Sequence, residues 1–265
     1  MSVPYKNDKI PLFGLVSMPR NGTHYLRSLL NSHPDVDISP EIFIAMFLCK
    51  DGNGGKNLTI WKNQGEYSNL TTRNILDRVY QKHNGLLVHA YQTRAKLDGA
   101  GDPEPGYKHN DLWDIFQRDR KISKFIYLKR RNALQVYVSQ VKANKHRRWQ
   151  MYDPNQLKEN DFKIEFNAKR FFGYTKYFQE KHEFNFKRRF CIRKKVLKVY
   201  YEDIAANPQK ECEKMLTFLG LETNGHEFKP LTLKQEKKKM REVISNFDEA
   251  CRTLKGTEYE EFLDT

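Results

Sequence analysis

Short apolar runs alternate with amphipathic segments along the chain. The run at 11–17 (PLFGLVS) predicts a buried strand, and residues 23–32 after it repeat leucine at helical spacing. The same alternation continues, with strands expected at 85–91, 124–128 and 196–201. Helices are expected after Ser39-Pro40, where a cap residue precedes a proline, and at 71–84, 111–119, 132–146, 166–182 and 208–219. Strands that alternate with helices predict an α/β fold with a central parallel sheet flanked by helices.

Composition indicates one globular domain over residues 1–265. Hydrophobic residues make up 38% and aromatic residues 13%, and the aromatics spread from Tyr5 to Phe262. A chain of this kind can build a core, so disorder is not expected. The length suits one large domain or two small ones, but no internal repeat and no domain boundary stands out.

The formal net charge of +14 favours an anionic partner, such as a phosphorylated cofactor, nucleic acid or an acidic membrane. The basic residues form separate clusters at 129–131, 142–148, 187–198 and 234–241. The last two are interpreted as solvated helix faces. Because no continuous basic stripe with interleaved aromatics is present, no nucleic-acid partner is expected, although a nucleic-acid-binding protein stays the alternative function.

The cysteines exclude the common metal and redox motifs. Cys49, Cys191, Cys212 and Cys251 lie far apart without a C-x-x-C pair, so no metal site is expected. No run approaches the roughly 18 apolar residues of a membrane span, and no apolar N-terminal segment is present. The sequence predicts free thiols and a cytoplasmic location, and it gives no indication of the oligomeric state.

The turn after the first predicted strand has the features of an anion site. In a parallel α/β sheet, ligands bind beyond the carboxyl ends of the strands, where Ser17 to Gly22 lie. There the following helix presents unpaired N–H groups, Gly22 allows close approach of the backbone, Arg20 adds charge and Thr23 adds a hydroxyl. The motif G-x-x-x-x-G-K-[ST] is absent, which disfavours an ATP or GTP site. Alone, this P-R-x-G-T motif is also compatible with a structural turn.

A second strand, basic turn and helix occupies residues 125–143. Arg131 and Ser139 are eight residues apart, just over two helical turns. The arginine fork and the serine hydroxyl are suited to gripping one phosphate together. A surface arginine and an ordinary helix serine are the alternative interpretation.

The two elements together resemble the signature of sulfotransferases that use 3'-phosphoadenosine 5'-phosphosulfate (PAPS). Their P-[RK]-[ST]-G-[ST] loop holds the 5'-phosphosulfate, and a later arginine and serine hold the 3'-phosphate. The resemblance implies a P-loop-like sulfotransferase fold, PAPS as cofactor and PAP as product. Residues 199–221 (VYYEDIAANPQKECEKMLTFLGL) resemble a Y-E-D-L…FLGL segment of the family, interpreted as mainly structural. The cofactor-binding residues implied are Pro19, Arg20, Asn21, Gly22, Thr23, His24, Tyr25, Arg131 and Ser139.

A nearer resemblance is to bacterial enzymes of the trehalose-sulfotransferase type and their carbohydrate-modifying relatives. Their R-R-[DN]…S…W pattern is echoed by residues 130–132, Ser139 and Trp149, and residues 31–43 parallel a stretch that delivers Glu41. The resemblance implies a small hydroxylated acceptor, a sugar or a natural product. Asn21 departs from the family's serine or threonine, which removes a hydroxyl but keeps a hydrogen-bonding side chain.

Sulfuryl transfer to an alcohol needs a base for the acceptor hydroxyl and positive charge for the leaving phosphate. Glu41 matches the glutamate proposed as base in the trehalose-type enzymes, although a carboxylate at a helix start also complements the dipole. His89 lies near a strand end, like the catalytic histidine of the cytosolic steroid and phenol enzymes, but a core histidine would look the same. His24 is a weaker candidate, and Arg20 is assigned to the leaving-group side.

Three other functions stay open from the sequence alone. The charge leaves room for a nucleic-acid-binding protein. A kinase or NTPase with a degenerate phosphate loop is weakened by the missing Lys-Ser/Thr pair. A sulfotransferase-like fold that has lost catalysis and acts as a binding protein is the third.

Overall fold

The computed structural model describes residues 11–41, 72–89, 122–146, 162–176, 195–229 and 238–265. Within these ranges a four-stranded sheet forms the centre, with the strands in the order β2-β1-β3-β4 and every neighbouring pair parallel. The strands are β1 (Phe13–Ser17), β2 (Gly85–His89), β3 (Lys124–Lys129) and β4 (Lys195–Tyr200). The predicted α/β class with a central parallel sheet is confirmed.

Helices follow the strands, as the alternating pattern predicts. The described helices are α1 (Thr23–Leu30), α2 (Thr72–Lys82), α3 (Ala133–His146), α4 (Ala168–Lys176), α5 (Tyr201–Ala206), α6 (Pro208–Leu219), α7 (Met240–Val243) and α8 (Phe247–Leu254), with a 3-10 turn at Glu260–Phe262. Gly220 ends α6 in the left-handed conformation at φ 83°, as expected of a C-terminal glycine.

The structure differs from the sequence expectations at the end of β4 and in the C-terminal region. The strand expected over 196–201 ends at Tyr200, and α5 begins at Tyr201, with the acidic pair Glu202 and Asp203 in its first turn, where carboxylates suit the helix dipole. Helices α7 and α8 lie in a tail for which no helix is predicted. The helices expected after Pro40 and at 111–119 lie outside the described residues.

The register brings the carboxyl ends of all four strands to one edge of the sheet. Ser17 pairs with His89 of β2 and with Leu128 of β3, and Lys129 pairs with Tyr200. The segments that follow β1, β3 and β4 therefore emerge side by side. This edge is where the sequence places its anion-binding motifs.

Two hydrophobic clusters hold this edge in place. One joins β1, α1 and α6, and it contains Phe13, Leu15, Leu26, Leu29, Met215 and Leu216, all fully buried. The other joins α3, α4 and α8 through Leu134, Tyr137, Phe166, Phe171 and Leu254. All five residues of β1 are buried, so the loop after β1 begins from a fixed strand. The single-domain organisation over 1–265 stays a prediction.

Candidate active site

The loop between β1 and α1 has an unusual backbone. Arg20 has a positive φ of 66°, which is uncommon for a residue with a side chain, and Gly22 has φ 88°. A Cβ at Gly22 would lie 2.3 Å from the ring of Tyr201. Only glycine meets both demands, the left-handed φ and the close approach of the aromatic ring.

Among the described residues, the N-terminus of α1 has no side-chain cap. Gly22 is its N-cap residue and provides no side-chain cap, and no acidic residue lies in the first turn. The Thr23 hydroxyl is buried, with 4% of the residue exposed, and has no hydrogen-bond partner among the described residues. A helix start that keeps its N–H groups uncapped beside a buried hydroxyl is suited to a phosphate or a sulfate.

Arg20 turns its side chain toward α3. Its Nε donates to Ser139 Oγ at 2.9 Å. Burial, together with the nearby charge of Arg130, lowers the pKa of Arg20 to about 10, while Tyr174 and Glu41 act in the opposite direction. The guanidinium is therefore still protonated at neutral pH, and it is a fixed positive charge in a poorly solvated place.

Arg130 is a second cation beside the loop. Its Nη1 donates to the carbonyl oxygen of Arg20 at 3.2 Å, and its Nη2 donates to Gln135 Oε1. The guanidinium lies 4.6 Å above the ring of Tyr201, and its Nε is buried without a hydrogen-bond partner among the described residues. Burial lowers the pKa of Arg130. Two desolvated cations so close together favour a bound anion.

Arg131 contacts the last residue of β4 and the first turn of α5. Its Nη1 and Nη2 donate to Asp203 Oδ1 and Oδ2 at 2.6 and 2.8 Å. Its guanidinium stacks 3.9 Å from the ring of Tyr200. The carboxylate of Glu202 accepts the backbone N–H groups of Arg131 and Asn132 at 3.0 to 3.1 Å. The Asp203 hydrogen bonds raise the pKa of Arg131, and the reverse effect lowers the pKa of Asp203.

Glu41 and His89 are the candidate bases. Glu41 Oε1 is 3.2 Å from His24 Nε2, and the charge of Glu41 also acts on Arg20. The backbone of His89 ends β2 directly beside Ser17, but its side chain lies outside the part of the structure that is described. Of the two main candidates, Glu41 is the one that the described contacts connect to Arg20.

A cavity of about 240 Å³ opens at this edge of the sheet. The three basic residues that follow one another at the end of β3 line it, together with aromatic and small side chains from α3, α4 and β4. The lining residues are Met18, Asn21, Tyr127, Lys129, Arg130, Arg131, Ala133, Val136, Tyr174, Thr175 and Tyr200.

The structure brings most of the predicted site residues together, but two of them have partners other than the predicted ones. Arg20, Ser139, His24 and Glu41 come together, whereas the Arg131 side chain pairs with Asp203 and not with Ser139. That Arg131 and Ser139 grip one phosphate stays a prediction.

The remaining predicted residues lie on the loop and the first turn of α1. The buried Asn21 side chain donates to the carbonyl oxygen of Leu128 at 3.4 Å. Tyr25 packs edge-to-face on Tyr201, 5.9 Å between ring centroids. Pro19 precedes Arg20 in the same loop. Asn21 therefore ties the loop to β3, and Tyr25 ties α1 to α5.

Sequence reasoning missed residues that only the fold connects to the loop. Arg130 enters the sequence analysis only as part of a motif, yet it lies next to Arg20. Glu202 and Asp203 belong to a segment interpreted as structural. The run of three basic residues at 129–131 facing a Y-Y-E-D segment is the signal that points to them.

Comparison with known proteins identifies the family. The sulfotransferase domain matches the chain over residues 13–264. The chain belongs to the sulfotransferase family. The family predicted from the two motifs is thereby confirmed, and membership supports an enzyme that transfers sulfuryl groups.

Two known proteins are similar to the chain over most of its length, at low sequence identity. The chain is 23% identical to nodulation protein H of Rhizobium tropici over 254 residues, 95% of this chain and 92% of that protein. A crystal structure of a sulfotransferase from Alicyclobacillus acidocaldarius matches it with a TM-score of 0.50 at 11% identity, over 96% of this chain and 95% of that one. At this identity the structural likeness shows the shared fold.

The described ranges also bear on membranes, metals and thiols. None of the helices there is long and apolar enough to cross a membrane. No three His, Cys, Asp or Glu side chains there are grouped to hold a metal ion. Cys212 and Cys251 are free thiols, and burial raises the pKa of Cys212 to about 12. Cys49 and Cys191 lie outside the described residues.

Proposed function

We propose that this sulfotransferase transfers the sulfuryl group of PAPS to a hydroxyl group of a small acceptor, a sugar or a natural product, and releases PAP. The observation that carries the proposal is the open N-terminus of α1, where the buried Thr23 hydroxyl and the desolvated Arg20 lie close to a carboxylate, Glu41. An anion site beside a carboxylate is what sulfuryl transfer to an alcohol requires.

The residues present fit this cofactor. Pro19 to Tyr25 would hold its 5' end through the N–H groups of the loop and α1, the Thr23 hydroxyl and the Arg20 charge. Arg131 and Ser139 would hold its 3'-phosphate. When bound, PAPS supplies the sulfuryl group. The two partly buried cations, Arg20 and Arg130, support the assignment because a dianionic ligand relieves their mutual repulsion.

The chain's own groups then have separate tasks. Glu41 takes the proton of the acceptor hydroxyl, whose oxygen forms the new bond to sulfur as the bond to the phosphate oxygen breaks. Arg20 stabilises the negative charge that develops on that leaving oxygen, in the way that cations serve phosphoryl transfer. His24 contacts Glu41 at 3.2 Å and holds its carboxylate. His89 is the alternative base, supported by its place at the end of β2 beside Ser17.

Calorimetric titration tests the cofactor assignment. PAP, ATP and AMP are titrated at two salt concentrations into the wild type and Arg131→Ala. We expect micromolar binding of PAP, much weaker binding of AMP and ATP, and PAP binding that falls to the level of AMP in the variant. Equal weak binding of all three nucleotides, falling together with added salt, would mean a basic surface and not a cofactor site.

The acceptor requires a separate test. Purified protein is incubated with sulfur-labelled PAPS and a panel of sugars and hydroxylated natural products, and label transfer is followed by mass spectrometry. Transfer to at least one hydroxylated compound is expected. PAP binding with no transfer to any of them would favour a binding protein of sulfotransferase fold. The cytoplasmic location stays a prediction.

A further inference from the structure

The cation predicted to hold the 3'-phosphate is positioned by a carboxylate on a different element. β3 and β4 are neighbours in the sheet, and Lys129 pairs with Tyr200 at their carboxyl ends. The segments that follow the two strands therefore run side by side, which brings Arg131 against Asp203. The resulting contact joins residues 72 positions apart in the chain.

The contact has a defined geometry. Both terminal nitrogens of Arg131 donate to the two oxygens of Asp203, at 2.6 and 2.8 Å, in the fork arrangement that fixes the plane of a guanidinium. The ring of Tyr200 covers one face of that plane at 3.9 Å. Asp203 uses two of the five N–H donors of the guanidinium, and three are left for a ligand. Arg131 also lines the cavity at this edge of the sheet.

The backbone N–H groups of Arg131 and Asn132 cannot hold a phosphate in place of the Arg131 side chain. The carboxylate of Glu202 accepts the N–H groups of Arg131 and Asn132, and Asn132 Oδ1 accepts the N–H of Gln135 at 2.8 Å. The protein thus occupies the N–H groups of Arg131 and Asn132 just before α3 and that of Gln135 in its first turn. A phosphate beside Arg131 therefore depends on the orientation of the Arg131 side chain.

We infer that Asp203 is a positioning residue that fixes Arg131 for the 3'-phosphate and so sets the preference for nucleotides that carry this group over those that do not. This inference rests on the proposed function. Asp203 itself does not touch the ligand, and as an anion it would, by charge alone, weaken the binding of any phosphate. When the charge of Asp203 is removed, the loss of positioning should therefore weaken PAP binding, whereas simple electrostatics would strengthen it.

The experiment measures the ratio of AMP to PAP dissociation constants, since the two nucleotides differ in the 3'-phosphate only. We expect Asp203→Asn to weaken PAP binding about tenfold and to change AMP binding less than twofold. Asp203→Glu, which keeps the carboxylate, should recover part of the loss. Glu227→Gln removes one negative charge from an exposed pair with Lys229 and is the matched control, with the ratio unchanged.

A double-mutant cycle separates positioning from a loss of structure. In the Arg131→Ala background, Asp203→Asn should have no further effect on PAP binding, because the group that it positions is gone. Tighter PAP binding by Asp203→Asn, an equal loss of PAP and AMP, or a full effect without Arg131 would each overturn the inference. Wild-type protein that does not prefer PAP over AMP would instead overturn the proposed function.

Discussion

Two strand–turn–helix units with basic turns lie side by side in this sheet, and the starts of their helices differ. At α1, Gly22 gives no side-chain cap and the Thr23 hydroxyl is buried without a partner among the described residues. At α3, the side chain of Asn132 caps the first turn through the N–H of Gln135, and the carboxylate of Glu202 accepts the N–H groups of Arg131 and Asn132 just before the helix. The two motifs look alike in the sequence, yet among the described residues the first helix has no side-chain cap and the second has one.

Under the proposed function, the two turn arginines are expected to have different tasks. Arg20 is partly buried and donates to Ser139, and we expect it to act where charge develops during the reaction. Arg131 is half-exposed and paired with Asp203, and we expect it to act in recognition of the cofactor. In the predictions that follow, changes at the open helix start have the larger effects and changes at the capped start the smaller ones.

The largest effect is expected for Gly22→Ala. A methyl group there would meet the Tyr201 ring at 2.3 Å in a backbone with φ 88°, so the loop cannot keep its shape. We expect PAP binding to be lost and the free energy of unfolding to fall by about 2–3 kcal/mol. Calorimetry and urea unfolding measure the two effects.

Gly173→Ala is the matched control. Gly173 lies in α4, and an added Cβ has no neighbour within 4 Å among the described residues. This change should raise helix stability by about 0.5–1 kcal/mol and leave PAP binding unchanged. Equal behaviour of the two variants would contradict the role of the left-handed loop.

The next effect is expected for Glu41→Gln. An amide cannot take the acceptor proton, so kcat should fall by about 100- to 10,000-fold while PAP affinity stays within threefold. Steady-state kinetics with a competent acceptor measure kcat, with His89→Gln as the comparison. If His89→Gln shows the larger loss in kcat, the base is His89 and the assignment of Glu41 is wrong.

The two arginines give the direct test of their different tasks. Arg20→Ala should lower kcat by about 100- to 1,000-fold, because it removes charge stabilisation at the leaving oxygen. Arg131→Ala should act mainly on PAPS binding and raise KM with a smaller change in kcat. Kinetics at varied PAPS concentration separate the two parameters. If both variants change kcat and KM in the same proportions, the two arginines do not have different tasks.

The sequence predicts much of this edge, and its failures have a common cause. Hydrophobic periodicity is a local property of the sequence, so it predicts β1, α1, β3 and α3. The spacing of Leu26 and Leu29, for example, predicts α1. The family motifs likewise name Arg20 and Arg131. The partners of both arginines depend on which strands are neighbours in the sheet, which the order of elements along the chain does not state. Hence Arg20–Ser139 and Arg131–Asp203 emerge only from the fold.

The boundary between β4 and α5 shows a second reason why sequence-based prediction fails in places. Apolar and aromatic residues continue through Tyr200 and Tyr201, so the pattern extends the strand by one residue. In the structure Tyr201 turns into the helix and packs against Gly22 and under Arg130. Its surroundings, and not its own propensity, place it there.

A smaller effect is expected for Glu202→Ala, which removes the acceptor of the N–H groups of Arg131 and Asn132 just before α3. Loss of these hydrogen bonds should lower the free energy of unfolding by about 1 kcal/mol. Thermal or urea unfolding measures this, with Glu227→Ala as an exposed control that should change it by less than 0.5 kcal/mol. An unchanged stability would show that the carboxylate does not hold this turn in solution.

The smallest effect concerns pH. The hydrogen bonds from Arg131 lower the pKa of Asp203 below its ordinary 3.8. The stability that the pair contributes is therefore present above about pH 3.8 and is lost as the pH falls through the lowered value. Both groups are more than a third exposed, so the contribution is at most about 1 kcal/mol and is reduced by salt. Carbon NMR titration of the Asp203 carboxyl reads the pKa directly, and it should move up toward 3.8 in Arg131→Ala. If the pKa of Asp203 is the same in both proteins, the fork is not populated in solution, and Arg131 has the same freedom at its turn as an unpositioned surface arginine.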